Sequence, residues 1–91
     1  MSYQVEVTPP ARREIETLPG YVRAQARQLI GELRVNPKPP RVRELRDKPN
    51  IYRIWLATKW RIAYKVDEDS KQVLILRVRL KELIDYESLQ S

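Results

Sequence analysis

The chain has 91 residues, with 18 Lys and Arg against 12 Asp and Glu for a formal charge of +6, and it contains neither cysteine nor histidine. That composition excludes disulfides, thiolate metal sites and any nucleophile activated by histidine, and it removes the commonest acid–base group at neutral pH. A 42% hydrophobic content supports one compact domain over residues 1–91, and no apolar run approaches the roughly 20 residues of a membrane span. Met1-Ser2-Tyr3-Gln4 has neither the cationic start nor the apolar stretch of a secretory leader, so a cytoplasmic location with no membrane contact is expected.

Tyr3-Gln4-Val5-Glu6-Val7 alternates apolar and polar and predicts a short strand. Thr8 then stands as an N-cap before Pro9, whose missing N–H costs nothing in a first helical turn. Ala11, Ile15 and Leu18 follow at helical spacing, with Arg12, Arg13, Glu14 and Glu16 on the other face. Pro19-Gly20 ends this helix. A longer helix is predicted over about residues 21–35, where Val22, Ala26, Leu29, Ile30 and Leu33 form an apolar stripe. Arg23, Arg27 and Arg34 lie off that stripe and read as a solvated face.

Asn36-Pro37-Lys38-Pro39-Pro40 must leave the helix. Over residues 38–48 the cations Lys38, Arg41, Arg43, Arg46 and Lys48 meet only Glu44 and Asp47. A loop is expected, with a short extended piece around residues 42–45. It either adds phosphate contacts or is an ordinary exposed loop.

Residues 51–80 read as three successive strands in which even-numbered residues share a buried face. These are Tyr52, Ile54 and Leu56, then Trp60, Ile62, Tyr64 and Val66, then Leu74, Leu76, Val78 and Leu80. The parity requires odd-length turns, and Asp69-Ser70-Lys71 is predicted as a three-residue loop. Arg61 then opposes Arg79 and Ala63 opposes Arg77. The odd-numbered face gathers Arg53, Arg61, Lys65, Arg77 and Arg79, within roughly 10 Å of one another at ordinary strand spacing. Facing cations repel, and a bound polyanion would relieve that repulsion. A solvated basic face is the plainer alternative. After Leu80, the stretch to Tyr86 reads as a short helix or tail.

There is no glycine-rich phosphate loop, and without histidine or cysteine chemistry must rest on Arg, Lys, Tyr, Asp or Glu. Glu82, Asp85 and Glu87 are carboxylates without metal-ligand spacing. Guanidinium groups suit RNA cleavage by 2′-hydroxyl attack, because they hold the phosphate and neutralise the charge that develops on its oxygens. A tyrosine or lysine with a lowered pKa can move the proton. Trp55 or Tyr86 can stack an unpaired base. Tyr52 and Tyr64 read as core residues with a polar tip.

Several stretches resemble the RelE/ParE toxin superfamily of bacterial type II toxin–antitoxin systems. They are Thr8-Pro9-Pro10-Ala11-Arg12-Arg13, Leu18-Pro19, Asn36-Pro37, Glu44-Leu45-Arg46, Tyr52-Arg53-Ile54, Trp60-Arg61-Ile62-Ala63-Tyr64-Lys65-Val66, and Val78 with Lys81-Glu82. The resemblance implies a small α+β domain, microbial RNase-like, in the order strand–helix–helix–three antiparallel strands, with both helices packed on one face of the sheet. RelE-type members cleave messenger RNA in the ribosomal A site, and ParE-type members poison DNA gyrase. By motif, Arg61 falls at the position of the scissile-phosphate arginine, Arg53 at a strand cation, Lys81 near a basic catalytic position and Tyr86 near the C-terminal tyrosine. Many members carry His-Arg where this chain has Arg79-Leu80, and some carry a second strand cation where it has Trp55.

The combined expectation is a ribosome-dependent mRNA endoribonuclease that needs no metal or cofactor. Arg61, Arg53, Lys81 and Tyr86 are its catalytic candidates. Arg77, Arg79, Lys65, Trp55, Arg43, Arg46 and Lys48 are its RNA-binding candidates. Its expected partners are mRNA, the ribosome and an acidic cognate antitoxin encoded next door, the last in a toxin–antitoxin hetero-oligomer. The alternatives are a ParE-like gyrase inhibitor, a catalytically inactive relative acting as a binding module, and a structural domain whose basic face docks a partner.

Overall fold

A computed structural model describes residues 2–84. The elements are β1 (Gln4–Val7), α1 (Pro9–Glu16), α2 (Gly20–Val35), β2 (Arg43–Glu44), β3 (Ile51–Leu56), β4 (Trp60–Asp67) and β5 (Gln72–Leu80), followed by a 3-10 turn at Lys81–Leu83. One sheet holds all five strands in the order β1-β5-β4-β3-β2. β1 runs parallel to β5, the arrangement that a helical crossover between them permits, and the remaining pairs are antiparallel. The expected order of strand, two helices and three strands holds, and β2 is added by the short extended piece expected around residues 42–45. Among the described residues no helix is long and apolar enough to cross a membrane.

Local chemistry sets the helix boundaries. The Thr8 hydroxyl oxygen accepts from the Ala11 N–H at 3.3 Å, and the hydroxyl donates to the Leu76 carbonyl at 3.1 Å, so one side chain caps α1 and ties it to β5. Pro19 occupies the N-cap of α2, which makes Pro19-Gly20 both the stop of one helix and the start of the next. Val22, Ala26, Leu29 and Leu33 are buried along α2, with Ile30 half-buried beside them. They pack on Tyr52, Ile54 and Leu56 of β3, Ile62, Tyr64 and Val66 of β4, and Val73, Ile75 and Val78 of β5.

The parity predicted for β5 holds only in its second half. Asp67 pairs with Gln72, so the turn spans the four residues 68–71 instead of the three predicted. The Asp67 carboxylate accepts from the N–H groups of Asp69 (3.1 Å) and Ser70 (3.2 Å), and Lys71 takes a positive φ of 57°. An even-length turn reverses the faces, so Val73 and Ile75 enter the core in place of Leu74 and Leu76. A bulge at Leu76 then restores the predicted register. From there Ala63 opposes Arg77 and Arg61 opposes Arg79, as expected. Leu76 joins Leu45, Ile51 and Ala63 in a small apolar cluster, separate from the main core.

Tyr64 is fully buried, stacks on Tyr52 (ring centroids 5.8 Å apart) and donates its hydroxyl proton to the Pro37 carbonyl at 2.7 Å. Burial, followed by the neighbouring Tyr52, raises its pKa far above the ordinary tyrosine value. A raised folded pKa gives stability that is fully present below about pH 10, the pKa of the unfolded tyrosine, and lost as pH climbs toward the folded value. Tyr64→Phe is expected to lose about 1 kcal/mol at pH 7 and to show a shallower loss of stability above pH 10 than the wild type. Urea unfolding between pH 7 and pH 11 checks both, and identical alkaline slopes would contradict this reading.

Candidate functional site

β2 pairs with β3 only through Arg43 with Arg53 and Glu44 with Tyr52, so β3 beyond Arg53 forms an open edge of the sheet. At this edge lies a cavity of about 110 Å³ lined by Arg41, Arg43, Arg53, Ile54, Trp55 and Arg61. Strand periodicity explains the convergence. Arg53 and Trp55 are two residues apart on β3 and share a face. Arg43 is directly across from Arg53 on one side, and Arg61 is directly across from Trp55 on the other. Arg41 comes from the segment that leads into β2. Four arginines therefore line one small recess, which favours an oxyanion such as phosphate.

Arg61 is only 8% exposed, and its guanidinium carbon lies 4.1 Å from the centroid of the Trp55 ring. This cation–π contact fixes the guanidinium against the indole and partly removes it from water, where its field is less screened. Lys81 brings its ammonium to 5.7 Å from the same ring. The Lys81 backbone N–H donates to the Lys59 carbonyl at 2.9 Å, which anchors the 3-10 turn beside the β3–β4 turn. Trp55 itself remains 44% exposed. Arg41 also pairs with Glu32 of α2 at 3.1 Å. A second cavity of about 520 Å³ adjoins the first and shares Arg41 and Trp55 with it.

The cations of β5 behave differently. Oε1 of Glu14 accepts from the Val78 N–H at 2.9 Å and Oε2 accepts from Arg77 Nη2 at 2.6 Å, while Arg77 Nε lies 3.2 Å from both oxygens. Arg79 Nε lies 3.1 Å from Oε2, and Arg79 Nη1 donates to the Leu83 carbonyl. β1 covers β5 only as far as Ile75, so the Glu14 carboxylate takes over the strand edge beyond it. The hydrogen bonds to Glu14 raise the pKa of Arg77 further.

The expected convergence of cations from all three long strands thus holds for β3 and β4 but not for β5. Arg53, Arg61, Trp55 and Arg43 come together, with Lys81 at the indole. Arg77 and Arg79 are held by α1. Lys65 is opposite Ile51 and Leu74, and Arg46 and Lys48 occupy the β2–β3 connection; none of the three lines the arginine cavity. Tyr86 lies outside the described residues, as do Asp85 and Glu87. Sequence reasoning placed Arg41 only among the loop cations that either add phosphate contacts or stay exposed, and it put Glu14 on the face of α1 away from the apolar one. The signal for Glu14 was present, because Ala11, Glu14 and Leu18 recur at i, i+3 and i+7, which sets a carboxylate inside an apolar stripe.

The family described as the ParE toxin of the type II toxin–antitoxin system parDE matches residues 5–82. The chain belongs to this family and is a type II toxin–antitoxin toxin of the RelE/ParE superfamily. Among solved structures it is similar to the RelBE2 toxin–antitoxin complex of Mycobacterium tuberculosis, at 26% identity over 89% of this chain and 100% of that chain, with a TM-score of 0.74. It is also similar to an arginine-to-alanine double mutant of the Escherichia coli toxin RelE in the free state, at 26% identity over 90% and 86% of the two chains, with a TM-score of 0.77. The archaeal RelE–RelB complex of Pyrococcus horikoshii shares the fold, with a TM-score of 0.80 at 21% identity over 92% and 100% of the two chains. No curated protein matches the chain significantly by sequence.

Replacing Glu14 by Gln keeps the side-chain shape but removes the charge shared by Arg77 and Arg79. The expected cost is about 1–3 kcal/mol, since Glu14 is largely buried and a hydrogen-bonded charge is lost. Chemical denaturation measures it, and a change below about 0.5 kcal/mol, the range of an ordinary surface substitution, would contradict the role assigned to this carboxylate.

Proposed function

We propose that this toxin is a ribosome-dependent endoribonuclease that holds the scissile phosphate of messenger RNA in the arginine cavity at the open edge of β3. The observation that carries the reading is the convergence of Arg41, Arg43, Arg53 and Arg61 on a recess large enough for a tetrahedral phosphate. In the reaction the 2′-oxygen attacks phosphorus, the bond from phosphorus to the 5′-oxygen breaks, and a cyclic phosphate and a free 5′-hydroxyl result. Negative charge builds on the non-bridging oxygens as the pentacoordinate transition state forms. Arg61 and Arg53 meet that charge with donors already in position, which costs little reorganisation at the moment of reaction.

Proton movement falls to the remaining candidates. Tyr64 is unsuited, because it is buried, bonded to Pro37 and held in its protonated form. The attacking 2′-hydroxyl gives its proton to water, Lys81, beside Trp55, donates one to the departing 5′-oxygen, and Tyr86 takes part in proton transfer or base stacking. Trp55 offers its exposed surface to an unpaired base. The solved relatives from M. tuberculosis and P. horikoshii are toxin–antitoxin complexes. By the same logic an acidic segment of a cognate antitoxin covers the arginine cavity here, in a cytoplasmic hetero-oligomer.

A second reading is ParE-like inhibition of gyrase. It is favoured by the family match itself and by the capture of Arg77 and Arg79, which leaves fewer cations for RNA than expected. Translating ribosomes with a defined message separate the two. Arg61→Ala is expected to lower cleavage by on the order of 10²–10³, the scale of losing one transition-state donor. Undiminished cleavage in that variant would remove Arg61 from the mechanism. Gyrase-dependent DNA breakage by the wild type, without message cleavage, would decide for the second reading.

A further inference from the structure

We infer that the groove between α2 and the open edge of β3 is a nucleobase subsite, and that Gln25, Gln28 and Glu32 read the base next to the phosphate held by the arginines. The inference rests on the RNA-cleaving reading above and adds which residues determine the base.

The two neighbouring cavities differ in size and in chemistry. The smaller is lined by four arginines. The larger, about 520 Å³, is lined by the apolar Leu29, Leu56 and Ala57 and by Trp55. Its polar groups are Gln25, Gln28 and Glu32, which recur at i, i+3 and i+7 and therefore share one face of α2. The one cation there, Arg41, is already paired with Glu32 at 3.1 Å. Such a groove is close to neutral and does not favour a second phosphate.

It suits a flat, neutral heterocycle. Trp55 lines the groove and stays 44% exposed, so the part of its indole that Arg61 and Lys81 leave uncovered offers a surface for stacking, as single-stranded RNA sites commonly do. Each glutamine amide supplies two donors and one acceptor group, and Glu32 supplies acceptors for ring or amino N–H groups. An apolar lining with a few converging polar groups is the usual composition of a small-ligand site. Trp55 and Arg41 line both cavities, so the two recesses abut as the base and phosphate of one nucleotide do. Charge thus sorts the two halves of the ligand, with phosphate drawn to the arginines and base left to the amides.

The test is binding of short single-stranded oligoribonucleotides that differ only in one base, A, C, G or U, beside a 2′-deoxy nucleotide that blocks cleavage. Fluorescence anisotropy is measured with the full chain, and Gln25→Ala/Gln28→Ala is compared with the wild type. The wild type is expected to prefer its best base over its worst by on the order of tenfold, the scale of one well-made hydrogen-bonded pair. The double variant is expected to compress that ratio to within about twofold. Arg53→Ala is expected to weaken every oligonucleotide by a similar factor and to keep the ratio. A wild-type ratio that the double variant leaves unchanged would overturn the subsite, as would a wild type that binds all four equally well. A wild type that binds none of them would overturn the subsite as well, while message cleavage on translating ribosomes decides the RNA reading beneath it separately.

Discussion

Glu14 places one carboxylate against two guanidinium groups and a backbone N–H, at 2.6 Å from Arg77, 3.1 Å from Arg79 and 2.9 Å from Val78. Three parts of the chain depend on that contact. It holds α1 over the half of β5 that β1 does not reach. It satisfies a strand edge that would otherwise stand open. It also compensates two cations that lie two residues apart on β5. Because one negative charge serves two positive ones at partly buried positions, removing it leaves more behind than a missing hydrogen bond.

The consequence for function is a division of the arginines. Those on β5 are committed to joining helix and sheet. Those reached from β2, β3 and β4 collect at the opposite side of the fold, where β2 is too short to cover β3. Arg61 belongs to the second group although it stands directly opposite Arg79 in the ladder. The Trp55 ring accounts for its position, holding the Arg61 guanidinium at 4.1 Å in a site largely shielded from water. Trp55 thus supplies an aromatic surface on the strand that organises a neighbouring cation. The same side chain divides a cationic recess from a neutral groove.

Much of this architecture was legible in the sequence. The Thr8-Pro9 helix start, the Pro19-Gly20 break, the stripe along α2 and the three-residue connection between Leu56 and Trp60 all follow from local chemistry and spacing. The start of β5 did not, for a specific reason. Val73, Leu74, Ile75 and Leu76 are all apolar, so either parity fits and periodicity cannot choose between them. The choice lies with Asp67, whose carboxylate bonds two backbone N–H groups in a four-residue turn, and with the bulge at Leu76 that corrects the offset. The cationic pocket was half visible. Alternation gave Arg53 and Arg61, but Arg41 comes from the loop before a two-residue strand, a length with no readable period. Glu14 was readable as a charge in an apolar stripe, and following it would have withdrawn Arg77 and Arg79 from the RNA face.

The central claim is that polyanion binding belongs to the arginines at the edge of β3 and not to those of β5. The salt dependence of single-stranded RNA binding tests this most directly, since each lost phosphate contact lowers the slope of log affinity against log salt by about 0.7. Arg53→Ala is predicted to reduce the slope by about that amount and Arg77→Ala to leave it unchanged. A slope reduced by Arg77→Ala and unaffected by Arg53→Ala would contradict the account.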